Sequence, residues 1–170
     1  MQDQAMQGGA LVGYRDHVRK EWIDYNGHMN VAYYVLAFDR AVDVLFDRLG
    51  LGTAHRQATN HGLFVVEAHV TYGRELLEGD PIRFDCWVVE VAERKLRYFL
   101  EMYHAEKNYR AATIEFLGLN VDLGTRRSAP FPPAMRQRLE AVVARDRDRG
   151  LPPEIGRAVG QPRASATERA

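Results

Sequence analysis

The chain has 170 residues, 46% of them hydrophobic, with 23 acidic and 23 basic side chains and a formal net charge of zero. That is enough apolar material for one domain with a true core, and it excludes a disordered chain. The balanced charge argues against a protein built for non-specific nucleic-acid binding, which calls for a basic excess.

The single cysteine, Cys86, rules out an internal disulfide and a cysteine-rich metal site. Its place in the apolar run IRFDCWVVEV makes it a small core residue. Residues 1–10 read as a flexible lead-in, and MQDQAMQGGALVG lacks the basic start and apolar stretch of a signal peptide. The longest unbroken apolar run, Val31 to Phe38, falls far short of the roughly 20 residues a membrane helix needs. A soluble, cytoplasmic protein is expected.

GYRDHVRKEWID contains short alternating stretches and predicts a first strand. A polar turn follows, Asp24-Tyr25-Asn26-Gly27-His28-Met29-Asn30, which crowds a carboxylate, two amides and an imidazole into seven residues. From Val31 to Leu49 the pattern is helical, with Asp39, Asp43 and Asp47 as one narrow polar stripe on an otherwise apolar surface. Asn30 is placed to cap this helix, and Gly50 and Gly52 to end it.

TAHRQATNHG reads as a polar loop. In LFVVEAHVTYGRE the period changes to two, putting Phe64, Val66, Ala68, Val70 and Tyr72 on one face and Val65, Glu67, His69 and Thr71 on the other. LLEGDP is turn chemistry. IRFDCWVVEV, LRYFLEMYHA and RAATIEFLGLNVDL predict three more strands, and the short links favour antiparallel hairpins. Residues 132–148 predict an amphipathic helix with Pro133 in its first turn. The domain therefore runs over 11–149, and the Pro, Gly, Ala and Arg of 150–170 predict a disordered tail. The expected fold is α+β: a curved antiparallel sheet of about five strands wrapped around one long helix. A homodimer joining sheets edge to edge would cover the remaining apolar surface and free edges.

That order of elements, with WIDYNGHMNVAYY between first strand and helix, resembles the hotdog-fold thioesterases, in the branch around 4-hydroxybenzoyl-CoA thioesterase. The resemblance covers residues 11 to 125. Its specific part is Asp-x-x-Gly-His-x-Asn ahead of an apolar helix bearing tyrosines; the Gly-Asp turn in LLEGDPIRF adds to it. The likeness is strongest to bacterial members, among them betainyl-CoA thioesterases that accompany or are fused to carnitine dehydrogenase.

The resemblance implies an acyl-CoA thioesterase in which Asp24, three residues before Gly27, is the catalytic carboxylate, as nucleophile or general base. It implies that the backbone N–H of Val31 polarises the thioester carbonyl, with Asn26 and His28 as partners of the carboxylate. A downstream carboxylate used by plant acyl-carrier-protein thioesterases has no counterpart, since Thr71 stands there. By the same analogy Trp22, Tyr25, Asn30, Tyr33, Tyr34 and Phe64 border the acyl pocket, which lies between the helix start and a partner subunit. Arg74, Arg94 and Arg97 are the candidate contacts for the CoA phosphates. The acyl group is left open between a betainyl group, held by cation–π contacts, and a medium or long chain. The CoA thioester is the substrate, with no cofactor and no metal; Glu67 and His69 share a strand face but have no evident third ligand. The assembly expected is a homodimer or a homotetramer.

Physical chemistry gives the crowded turn a rationale of its own. A thioester carbonyl gains negative charge as it is attacked, and a helix N-terminus offers unpaired N–H groups and a positive dipole end. A carboxylate one turn upstream can reach the carbonyl carbon or a water beside it. The same residues also suit a plain turn, because Asn-Gly favours turns by itself. A non-catalytic acyl-thioester-binding protein and a hotdog hydratase or dehydratase are the alternatives.

Overall fold

The computed structural model describes residues 13–161. Its elements in chain order are β1 (Arg15–His17), a 3-10 turn (Lys20–Trp22), α1 (Val31–Leu49), α2 (Thr53–Thr59), β2 (His61–Tyr72), β3 (Pro81–Val91), β4 (Lys95–His104), β5 (Arg110–Asp122), β6 (Arg127–Ser128) and α3 (Pro133–Arg149). The strands form one antiparallel sheet in the order β1-β3-β4-β5-β2, with β6 paired to the end of β5.

α1 forms where the sequence puts it. The Asn30 side chain accepts from the Ala32 N–H at 3.0 Å, and Gly50 ends the helix in the left-handed conformation at φ 71°. Tyr34, Ala37, Phe38, Ala41, Val42, Leu45 and Leu49 recur at helical spacing and are buried. They meet the inner face of the sheet: Ile82, Phe84, Cys86 and Val88 of β3, Leu96, Tyr98, Leu100 and Met102 of β4, and Ile114 and Phe116 of β5. Each such large side chain contributes on the order of 1.5–3 kcal/mol by leaving water. The Cys86 thiol is fully enclosed, and burial pushes its pKa up, away from reactivity.

The two sides of the sheet end differently. β1 pairs only with the first residues of β3, from Pro81 to Arg83. Beyond it, α3 closes the edge of β3: Asp146 accepts from the Val88 N–H at 2.8 Å and Arg149 donates to the Cys86 carbonyl at 2.6 Å. β2, at the opposite edge, pairs with β5 alone. Phe64, Val65, Val66 and Tyr72 of β2 are exposed, as are Val31, Val35 and Leu36 of α1.

Three expectations change. TAHRQAT is the short helix α2, hidden from sequence reading because none of its residues is buried and no apolar period marks it. The strict alternation along β2 breaks at a bulge between Val65 and Glu67, so the faces read before it do not continue after it. Residues 150–156 lie against the outer side of the sheet. Arg110 bonds both Glu101 and Glu154, the Gly156 N–H donates to Glu115 at 2.7 Å, and Trp87 donates to the Gly150 carbonyl at 3.1 Å. Polar anchors hold this stretch, which composition alone does not reveal. The lead-in over 1–10 and the tail from 162 onward lie outside the described residues.

Candidate active site

The turn ahead of α1 is a miniature hairpin. Ile23 and Met29 face each other as a bridge, and the Asp24 N–H donates to the His28 carbonyl at 3.1 Å. The Gly27 N–H donates to the Asp24 carbonyl at 3.0 Å, and Gly27 takes φ 82°, a conformation that costs glycine nothing. The hairpin base is anchored: Trp22 and Met29 are buried, the Asn30 N–H donates to the Trp22 carbonyl at 2.9 Å, and the Met29 N–H donates to the Leu76 carbonyl at 2.8 Å.

This frame fixes the Asp24 carboxylate. One oxygen accepts from the Asn26 N–H at 2.8 Å and the other from the Asn30 amide at 3.4 Å. Asn26 therefore serves Asp24 through its backbone, while its side chain stands exposed at the tip. His28 Nδ1 lies 3.3 Å from the Met29 carbonyl, within reach to donate to it.

At the head of α1 the Ala32 N–H is taken by the Asn30 side chain and the Tyr33 N–H by the Asn30 carbonyl at 3.0 Å. The Val31 N–H comes before both, on a residue that is 56% exposed. Asp24, Asn30 and the Val31 N–H are thus brought together, carboxylate beside helix start.

The aromatic residues divide. Trp22 stacks on Tyr33 at 5.8 Å, with the guanidinium groups of Arg19 and Arg40 over its ring. Tyr34 is buried, accepts from the Leu76 N–H at 3.2 Å and meets the edge of Tyr72 at 5.3 Å. Burial pushes its hydroxyl pKa up to about 12. Trp22 and Tyr34 therefore support the loop from beneath, whereas Tyr25 is 97% exposed.

Phe64 lies elsewhere, at the far end of α1. There a cleft of about 810 Å³ is lined by Asp43, Phe46, Asp47, Arg56, Phe64 and Arg126, among others. Arg126 sits over the Phe64 ring at 5.5 Å.

The three candidate phosphate contacts do not converge. Arg74, in the link between β2 and β3, covers the Tyr109 ring at 4.0 Å. Arg94, at the other end of β3, donates to the Ser128 carbonyl at 3.0 Å, and Arg97 pairs with Glu90 and Glu115 at 3.6 Å. Among the described residues no group of three metal-ligating side chains comes together.

Sequence reading missed the support behind the loop. His104 is buried, its Nδ1 accepts from the Glu106 and Lys107 N–H groups, and its Nε2 lies 3.3 Å from Asp80. Asp80 also accepts from the Leu77 N–H at 2.9 Å, steadying the segment whose Leu76 holds Met29. The Gly-Asp turn was the only signal for this in the sequence.

The model of the thioesterase-like superfamily matches residues 18–139. The betainyl-CoA thioesterase of Pseudomonas aeruginosa is 33% identical over 152 residues, covering 89% of this chain and 96% of that protein. A Staphylococcus aureus protein solved in complex with CoA superposes with a TM-score of 0.80 at 25% identity, covering 92% of this chain and 99% of that one. A thioesterase candidate from Pseudomonas putida KT2440 gives a TM-score of 0.76 at 31% identity, with the same coverage of both chains. No helix among the described residues is long and apolar enough to cross a membrane.

Proposed function

The chain belongs to the thioesterase-like superfamily and is a thioester hydrolase of the acyl-CoA class, and from that premise we propose that its substrate is betainyl-CoA, cleaved to glycine betaine and free CoA with Asp24 as the reacting carboxylate. The observation that carries the catalytic part is the Asp24 carboxylate, held by the Asn26 N–H and the Asn30 amide next to the open start of α1. The Val31 N–H and the helix dipole stabilise the oxyanion as the carbonyl is attacked. Asp24 acts on the carbonyl carbon as nucleophile or through a water as base. The acyl group is argued from the relative in P. aeruginosa, which matches nearly end to end.

The working unit in this reading is a homodimer. β2 offers an unpaired edge and, with the exposed side chains of α1, an apolar surface on one side of the molecule. Long free edges of this kind are pairing sites. The opposite edge, closed by α3, has no such need.

The test is thioester hydrolysis, followed with a thiol-trapping dye, over betainyl-, hydroxybenzoyl-, short-, medium- and long-chain acyl-CoAs. Turnover of betainyl-CoA above the others, lost by at least about 100-fold in a folded Asp24→Asn variant, is the expected result. A different preferred acyl group overturns the substrate; turnover that survives the substitution overturns the role of Asp24.

A further inference from the structure

The cleft at the far end of α1 combines two kinds of wall. Phe46, whose ring meets Tyr98 at 5.5 Å, and Phe64 supply aromatic lining, and Asp43 and Asp47 supply carboxylates from successive turns of α1. The carboxylates are not equivalent. Asp47 folds onto Gly52, where a Cβ would stand 1.8 Å from its Oδ1, so it is held against the start of α2. Asp43 has no such seat. The charges that bear on it are those of Asp39 and Asp47, both negative. Arg56 and Arg126 also line the cleft, and Arg126 is engaged with one face of Phe64. A carboxylate among like charges, beside aromatic rings, suits a bulky cation that makes no hydrogen bonds.

Within one chain this cleft is remote from Asp24, since Asp43 lies 12 residues along α1 from Val31, about 18 Å. Two-fold pairing changes that. α1 and β2 run in opposite directions: Tyr34 near the helix start meets Tyr72 at the strand end, and the cleft joins the other end of α1 to Gly62 and Phe64. When two copies of β2 pair antiparallel about an axis through their middle, the start of each strand faces the end of the other. The cleft of one protomer is then turned toward the Asp24 loop of its partner. In betainyl-CoA the ammonium stands one methylene from the thioester carbon, so its binding site has to adjoin that loop.

We infer that the cleft receives a quaternary ammonium on the acyl group of a substrate bound at the partner's Asp24 loop, with Asp43 as the counter-charge and Phe46 and Phe64 as aromatic walls. This rests on the betainyl-CoA reading and on the β2-paired dimer. Each active site is then shared, with the reacting carboxylate from one copy and the specificity carboxylate from the other.

The experiment compares betainyl-CoA with 3,3-dimethylbutyryl-CoA, its neutral carbon isostere, on wild type, Asp43→Asn and Phe64→Leu. Asp43→Asn should lower kcat/KM for betainyl-CoA at least about 10-fold, through KM, and leave the isostere within about two-fold. Phe64→Leu should show the same bias. Equal loss on both substrates, or no loss on either, overturns the inference while wild-type turnover of betainyl-CoA upholds the function. Wild type that hydrolyses other acyl-CoAs but not betainyl-CoA instead overturns the substrate reading, and this inference with it. Mixing Asp24→Asn and Asp43→Asn subunits then tests the sharing. Half the reassorted dimers carry one fully intact site, so at low betainyl-CoA about a quarter of wild-type activity should return. Absence of recovery in mass-verified heterodimers refutes the shared site.

Discussion

Asn30 touches Asp24 with one end of its amide and the start of α1 with the other. Its Nδ2 lies 3.4 Å from the carboxylate, and its Oδ1 accepts from the Ala32 N–H at 3.0 Å. One side chain therefore ties the Asp24 carboxylate to the helix start. Asn30→Asp separates its two tasks. Aspartate caps as well as asparagine, so the cap is kept and any fall in melting temperature at neutral pH should come from the new charge repulsion and shrink at low pH. It also sets a second carboxylate against Asp24, and two neighbouring carboxylates do not ionise together easily. The expected outcome is a roughly 10-fold drop in kcat, with the acid limb of the pH–rate profile moved to higher pH. Asn30→Ala should lose the cap as well, costing about 1 kcal/mol. Calorimetry and steady-state kinetics on both variants check this.

The support for the loop runs through Tyr34. Its hydroxyl accepts from the buried Leu76 N–H, and the Leu76 carbonyl accepts from the Met29 N–H. Tyr34→Phe preserves the ring and its contact with Tyr72 but leaves a buried donor without an acceptor. That costs about 1–3 kcal/mol. Denaturant unfolding should show a lower midpoint with an unchanged slope. With Met29 less firmly held, kcat should fall several-fold, because Asp24 is placed by the same hairpin.

Much of this was legible in the chain because it rests on local chemistry. The Asn30 cap, the Gly50 stop and the apolar spacing of α1 are short-range signals, and the change to a period of two marked β2 as a strand although its faces switch at the bulge. Asp24 beside the helix start followed from the turn motif. The rest depends on tertiary contacts with no local trace. The Leu76–Met29 bond joins a loop to a hairpin about 47 positions earlier in the chain. The His104–Asp80 contact sits under that same loop, and a histidine at the end of a strand looks the same in sequence whether buried or free. Phe64 was read as bordering the pocket at Asp24, yet it lines a cleft with Asp43 instead, a position that depends on the antiparallel course of α1 and β2. The Asp39, Asp43 and Asp47 stripe reads as a solvated face in sequence, because periodicity does not distinguish a face in water from one turned toward a cleft.

The closed edge of the sheet gives a prediction confined to stability. Asp146 is fully buried, accepts from the Val88 N–H at 2.8 Å and is bound by Arg145 at 2.8 Å. Asp146→Ala strands a buried N–H at the β3 bulge and should cost about 2–3 kcal/mol. Asp146→Asn, which keeps an acceptor oxygen, should cost less. Activity per folded molecule should be unchanged in both, since the edge lies away from the Asp24 hairpin. Chemical denaturation paired with active-site-normalised kcat checks the separation.

Asp43 should behave in the opposite way, costing stability and serving function. Burial, then the charges of Asp39 and Asp47, hold its carboxyl pKa above the ordinary 3.8. The folded chain therefore binds this proton more tightly than the unfolded chain does. As pH rises from the unfolded value through the raised folded value, the group's contribution to stability declines, and at neutral pH the whole penalty is present. Asp43→Asn removes two unfavourable contacts between like charges four residues apart, each worth about 0.2–0.5 kcal/mol. At pH 7 the variant should melt about 1–2 °C higher than wild type. As pH falls to the ordinary 3.8 and below it, where both states take up the proton, the two melting curves should converge. Added salt should shrink the neutral-pH difference by screening the repulsion. A stabilised variant that turns over betainyl-CoA poorly would make the Asp43 charge a functional feature kept against the interest of the fold. Thermal scans from pH 3.5 to 8 at two salt concentrations measure the stability half of that trade; a variant less stable than wild type at pH 7 would mean that Asp43 is held by favourable contacts instead.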